Sequence, residues 1–355
     1  TFDKDAGSKT TFQYLKMFLK KGYVVKFIGD NYLHEEPYTS TLQQMGIEVL
    51  YGQEYLTGIW DWLVKNGKDI HVAYLNRPHI ATKYVDFIKE HTDIKMIYYG
   101  HDLHFMREFR EYELTGDVKK RQESEYWKSI EFSLFHKVAV SYYPSYVEEE
   151  AIHAVDETIP VKAITAYVYE EFLQNLNKDF AKREGLLFVG GFAHPPNADA
   201  VLWFAKEVFP KIREQIKVNF YIVGSKVTDE IKALEQPGNG IIVKGFVSEE
   251  ELADLYRNCR IVVVPLRYGA GVKGKVVEAI YNGAPIVTTS VGSEGIPDVE
   301  KVLLVKDQPD EFAETVVELY KDEKRLEDLA EKTQVYIREH FSIDAAWDVI
   351  KEDFE

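Results

Sequence analysis

Residues 269–280, GAGVKGKVVEAI, set three glycines, two lysines and one carboxylate around what reads as the start of a helix. Glycines let a main chain approach a ligand closely, the free amides of a helix start attract an anion, and lysines add charge, so phosphate binding is the chemistry this run suggests first. The letters also spell G-x-G-x-x-G, with Glu294 about twenty residues on, where a dinucleotide fold would place its ribose-binding acid. The spacing argues against a dinucleotide. The apolar run IVVVP ends at Pro265 and three residues intervene before Gly269, whereas the fingerprint glycine closes its turn directly after the strand. Arg267, Lys273 and Lys275 also stand where that fingerprint uses small or apolar residues. Three cations around a glycine turn suit a more exposed diphosphate, held by charge as well as by amides. Two readings therefore stay open: a plain glycine-rich connection, or a nucleotide-diphosphate site. In the second, Glu278 lies about one turn into a helix that stops at Asn282–Gly283 before Pro285. It would accept two adjacent sugar hydroxyls while the amides ahead of it hold phosphate.

The elements that must carry such a site recur along the chain. Short β-branched runs (YVVKFIG, IEVLYG, IHVAYL, IKMIYYG, KVAVSYY, then LLFVGG, FYIVGS, GIIVKG, IVVVP, PIVTTS) alternate with helical stretches. Runs apolar on both faces with amphipathic helices between them predict parallel strands covered by helices, the doubly wound α/β pattern, twice over. The predicted division is a first domain over 1–170, a polar linker over 171–184, a second domain over 185–340 and a last helix over 341–355. That helix must bury Phe341, Trp347, Val349, Ile350 and Phe354, with the first domain as the candidate surface. GSKTTFQYLKMFLKKG reads as a capped helix with Phe12, Leu15, Phe18 and Leu19 inward and Gly22 as its stop. A doubly wound sheet would normally put a strand before it, so an apolar strand upstream of Thr1 is expected.

Composition narrows the function classes. With 355 residues, 45% of them hydrophobic, the chain can build two cores. Its formal charge of −16 argues against broad capture of nucleic acid, though local basic clusters can still grip a diphosphate. A single cysteine, Cys259, excludes an internal disulfide and cysteine-based zinc sites, and reads as a small buried apolar residue. No run is long enough to span a bilayer and no leader precedes the first helix, so a cytoplasmic protein is expected. Peripheral contact at the inner membrane face stays open through segments such as LKKGYVVK, although such lysines more often end an ordinary solvated helix.

LLFVGGF, YIVGS, VKGFVSEEELADLYRNCRIVVVPL, VVEAIYNGAPIVTTSVGSEG and HFS follow one another in the order and spacing of family 4 of the retaining glycosyltransferases, which the chain resembles over nearly its whole length. In the first half DAGSKT is similar to that family's glycine turn and YYGHDLH to the segment bearing its cleft histidine. The resemblance implies a GT-B fold, two facing Rossmann-like domains with an interdomain cleft. It implies sugar transfer from a nucleotide-diphosphate sugar to an acceptor hydroxyl, saccharide or lipid-linked, with retention. It calls for no cofactor and no metal, and Asp3-Lys4-Asp5 reads as loop acids. It gives Glu278 the ribose, as the second glutamate of an E-x7-E motif. Eight positions earlier, where the first should meet the donor sugar, stands Ala270. Either the amides of Gly271, Val272 and Lys273 would then hold the hexose or the sugar is a deoxysugar, and the amides of Gly271 to Gly274 would face the diphosphate. The family's Arg and Lys after its FVG strand are also absent from GGFAHPPNADAV, so Lys273, Lys275 or Arg267 is expected to supply that charge. Gly7 would border the diphosphate, Lys244, Gly245 and Phe246 the base, and His101 the donor sugar, with Gly191 also among the substrate-binding residues. Asp102, His104 and Arg107 are weaker candidates, explained equally well by a surface ion network. A nucleotide-sugar 2-epimerase of the same architecture and a non-catalytic sugar-nucleotide binder remain alternatives. Polysaccharide or glycolipid assembly follows from the family alone.

Overall fold

A computed structural model describes Phe2 and residues 6–355. Asp3, Lys4 and Asp5 lie outside the described residues. Contacts divide the chain into two units, one running to Tyr169 and including Ile343–Glu355, the other Glu170–Ser342.

The second unit is a six-stranded parallel sheet: β7 (Leu186–Val189), β8 (Phe220–Val223), β9 (Ile241–Gly245), β10 (Ile261–Val264), β11 (Ile286–Thr288) and β12 (Leu303–Val305), in the order β12-β11-β10-β7-β8-β9. Its central strands are buried on both faces, which is why they appear in the sequence as unbroken apolar runs rather than alternating ones. The chain leaves β7 toward β8 on one side and β10 toward β11 on the other, so the strand order reverses between β7 and β10. The charged stretch before β7 is anchored rather than loose. Phe180 and Arg183 are buried, and the Arg183 guanidinium donates to the carbonyls of Cys259 (2.7 Å), Asn177 (3.1 Å) and Tyr256 (3.1 Å). Cys259 itself is buried, which pushes its thiol up to about 11.

Gly224, just after β8, fixes the turn after β7. A Cβ there would sit 1.9 Å from the Gly190 carbonyl oxygen, and its φ is +155°. Gly224→Ala should therefore push the two strand ends apart and cost about 3 kcal/mol, read from the urea midpoint; an unchanged midpoint would refute this close approach.

The first unit holds two separate parallel sheets. β1 (Lys26–Ile28) pairs with β2 (Glu48–Leu50), while β3 (Val72–Asn76), β4 (Lys95–Tyr99), β5 (Val140–Tyr143) and β6 (Val161–Ala163) form the other. The Ala6–Lys20 helix buries more than the expected stripe. Tyr14, Met17 and Phe18 pack with Ile97, Tyr99 and Tyr142, and Leu15 packs on the other flank with Leu42 and Ile47. Gly22 ends its turn at φ +87°. The Ile343–Ile350 helix and Phe354 join that larger cluster, tied by Lys21–Asp344 (2.7 Å) and by Asp353, which accepts from Tyr142 (2.6 Å) and Lys162 (2.7 Å). Val349, expected inside, stays 43% exposed.

Candidate functional site

The glycine–lysine run lies at the carboxyl end of β10. The loop from Arg267 to Lys273 reaches the Gly274–Tyr281 helix, with Gly269 and Gly271 at positive φ (+140° and +72°). Lys273 is the N-cap, and no side chain caps the helix. The Lys273 carbonyl accepts from the amides of Val276 (2.9 Å) and Val277 (3.3 Å), so those of Gly274 and Lys275 in the first turn are the ones available to an anion.

Both lysines fold back over this helix start. Lys273 Nζ donates to the Gly271 carbonyl and lies 3.3 Å from a Glu294 oxygen, with only a tenth of its side chain exposed. Glu294, which in a dinucleotide fold would hold ribose, here faces Lys273. Lys275 Nζ donates to Asn197 Oδ1 and lies 5.3 Å from the centre of the Phe188 ring. Burial, and then repulsion from Lys273, lowers Lys275 to about 8.

Asn197 comes from the opposite side of the strand reversal. It belongs to the Pro195–Trp203 helix that follows β7, is buried, and its Nδ2 donates to the Gly191 carbonyl (2.7 Å). One side chain thus ties the Gly190–Gly191 turn to Lys275. His194, the N-cap of the same helix, has its pKa lowered by burial and then by the charges of Lys275 and Lys273. Sequence reasoning missed Asn197 and His194. Their signal is the run HPPN directly behind a glycine pair, with prolines set to begin a helix.

Gly191, Gly271, Lys273, Gly274 and Lys275 therefore meet at one place, with Val272 half-buried in the same loop. Glu278 is half-buried in the helix, on the turn beyond Lys275, and Ala270 is exposed. Three further expected residues make other contacts or stand open to solvent. Arg267 pairs with Asp199 through its Nε (2.8 Å) and a second nitrogen, so its charge is matched. Lys244, on the outer strand β9, pairs with Glu251 (3.0 Å), and Phe246 beyond Gly245 is 81% exposed.

In the first unit, His101 follows β4 with its ring 4.6 Å from that of Tyr99. Gly100 before it packs so closely against Tyr143 that a Cβ would meet the ring at 2.4 Å. Asp102 and Arg107 are ion-paired to each other, and Arg107 also meets Glu108 (2.9 Å). His104 Nδ1 lies 3.2 Å from Glu131. Gly7 sits in the first turn of the Ala6–Lys20 helix, where its carbonyl accepts from Thr11 (3.0 Å).

Sucrose-phosphate synthase from Thermosynechococcus elongatus superposes with a TM-score of 0.67, over 98% of this chain and 92% of that one, at 14% identity. HepE from Anabaena, solved in complex with UDP, gives 0.67 over 96% and 95%, also at 14% identity. The chain has the GT-B fold. Its two units are thus the two Rossmann-like domains of GT-B proteins, although in the first of them the strands divide into two sheets. Residues 183–322, within the second unit, match the family described as "Glycosyl transferases group 1". An uncharacterized 44.6 kDa protein in the cps region of Klebsiella pneumoniae is 29% identical over 184 residues, 49% of this chain and 45% of that relative. The match thus spans about half the length of either protein. These findings support a GT-B glycosyltransferase. Among the described residues, no helix is long and apolar enough to cross a membrane.

Proposed function

We propose that the protein is a retaining glycosyltransferase that holds a nucleotide-diphosphate sugar on its second unit and passes the sugar to an acceptor hydroxyl. The observation that carries this reading is the meeting of Lys273 and Lys275 with an uncapped helix start beside the Gly190–Gly191 turn, where the strand order reverses. Open α/β sheets bind ligands at that point, outside the carboxyl ends of their strands. A diphosphate there takes two lysine charges and the helix amides, while Glu278 accepts the ribose hydroxyls. As the bond from the anomeric carbon to phosphate breaks, negative charge grows on the leaving diphosphate. Cations and amides already in position stabilise it without reorganising. His101 would contact the donor sugar, as the resemblance implies. The UDP complexes of HepE make UDP the first ligand to try, and the cps-region relative makes a surface saccharide, free or lipid-linked, the first acceptor.

Glu278→Ala should weaken UDP binding at least tenfold by calorimetry, the loss expected when a charged hydrogen-bond acceptor is removed. Equal affinity in variant and parent would take the carboxylate out of the site. The exposed Ala270, standing where the resemblance places a glutamate, favours a non-catalytic binder as the second reading. Incubating the protein with UDP-sugars and saccharide acceptors separates the readings: an α-linked product from an α-donor supports transfer with retention, and tight binding without turnover supports the binder.

A further inference from the structure

The basic side chains around the glycine run differ in what answers their charge. Arg267 pairs with the Asp199 carboxylate and Lys273 lies 3.3 Å from a Glu294 oxygen, whereas Lys275 Nζ donates to the amide oxygen of Asn197. Among the described residues, no carboxylate pairs with Lys275, and the charge acting on it is that of Lys273, which repels it. The Asn197 amide is itself held in place. Its Nδ2 donates to the Gly191 carbonyl (2.7 Å), so the group cannot turn over without setting its NH2 against the ammonium and its oxygen against a carbonyl. The main chain behind it is fixed as well, because Pro195 and Pro196 open the helix and the Asn197 amide nitrogen donates to the His194 carbonyl (3.0 Å). The side chain is buried, and it fits because residue 190 is glycine. A Cβ there would meet Asn197 Nδ2 at 2.9 Å.

We infer that Asn197 is the positioning residue of the diphosphate site: it fixes the Lys275 ammonium beside the helix start through an uncharged acceptor, and so leaves that positive charge unmatched for the ligand. The inference rests on reading the second unit as the holder of a nucleotide diphosphate. A carboxylate in the place of Asn197 would orient the lysine equally well but neutralise it, and an anion would then have to break a buried ion pair in order to bind. An apolar side chain would leave a buried ammonium with no acceptor, which is costly in another way. Asparagine orients the charge without cancelling it. The protein therefore carries a buried cation with no counter-ion until a diphosphate arrives, and Asn197 sets where that cation sits.

Titration of the Lys275 ε-carbon by NMR tests the placement without any nucleotide, in protein carrying 13C-labelled lysine and with the signal assigned by its absence from Lys275→Met. Asn197→Asp should move that titration up by roughly two pH units. UDP binding by calorimetry should then weaken about thirtyfold at pH 7, although the lysine is more fully protonated. It should also lose the pH dependence that a lysine titrating at about 8 gives the parent. Gly190→Ala, which displaces the amide without adding charge, should move the titration down and weaken UDP binding as well. A Lys275 titration unchanged in both variants overturns the inference, even if both bind UDP poorly, since that result leaves Asn197 only a part in the turn. A raised titration with UDP affinity kept in Asn197→Asp overturns it equally. If Asn197→Asp fails to fold, Gly190→Ala alone decides. Should the parent bind no UDP, the reading of the site fails, and the Lys275 titration still shows whether Asn197 places the ammonium.

Discussion

Lys275→Met is expected to make the protein more stable and to cost it nearly all its affinity for a nucleotide diphosphate. Burial and Lys273 hold the Lys275 ammonium near 8 against an ordinary 10.5, a gap worth ~3 kcal/mol against the charged form. A folded pKa below the unfolded one means the cost is complete below pH 8. Between 8 and 10.5 the unfolded chain binds the proton that the folded chain has shed, so stability rises with pH across that window. Methionine removes the ammonium at every pH. It also leaves Asn197 Oδ1 without its donor, returning about 1 kcal/mol. The net expectation is a gain of ~1–2 kcal/mol at pH 7, shrinking above pH 8. Binding moves the other way. A diphosphate favours the charged lysine, so the parent should take up protons on binding UDP near pH 8 and lose about tenfold in affinity between pH 7 and 9. The variant should bind about a hundredfold more weakly and lose that pH dependence. Thermal melts with and without UDP, across pH, check both halves. A variant no more stable than the parent, yet binding normally, would remove Lys275 from the phosphate role.

That conflict between stability and binding is partly visible in the sequence, since lysines in a glycine turn have no structural reason to cluster. Their partners are not visible. Asn197 reaches Lys275 from the far side of a strand reversal, and no local pattern marks a contact between residues 78 apart. The central strands β7, β10 and β11 can be read because both faces are buried. β6 and β12, of three residues each, lie at sheet edges and leave too short a pattern. In the first half the expected strands form, but their division into two sheets is a matter of pairing, which apolar runs do not specify. Arg267 shows a similar limit. Its place in the sequence suits a phosphate, and only the fold brings Asp199 within reach of it.

Glu131→Ala should be the most damaging single change in the first unit, costing about 3–4 kcal/mol. The Glu131 carboxylate is fully buried on the Val118–Phe135 helix and accepts from the amides of His104 (2.9 Å) and Phe105 (3.1 Å) at the start of the His104–Thr115 helix. It caps a helix that lacks a cap of its own, because Leu103 occupies the N-cap position. Alanine leaves those amides without their acceptor and opens a cavity between two helices. Glutamine keeps the volume and one acceptor, and should cost about half as much. His104 supplies a second readout. Burial pulls its pKa down, but the hydrogen bond to Glu131 and the charge of Asp102 outweigh this, so it is raised above 6.5. Its contribution to stability is complete below pH 6.5 and lost as pH rises through the raised value. In Glu131→Ala that fall should shrink, because the principal group raising His104 has gone, and urea midpoints at pH 6 and 8 would show it. The same helix start holds the loop from Gly100 to Leu103, so Glu131→Gln should lower kcat if His101 contacts the sugar. Unchanged turnover in a variant that still melts cooperatively would separate His101 from the reaction.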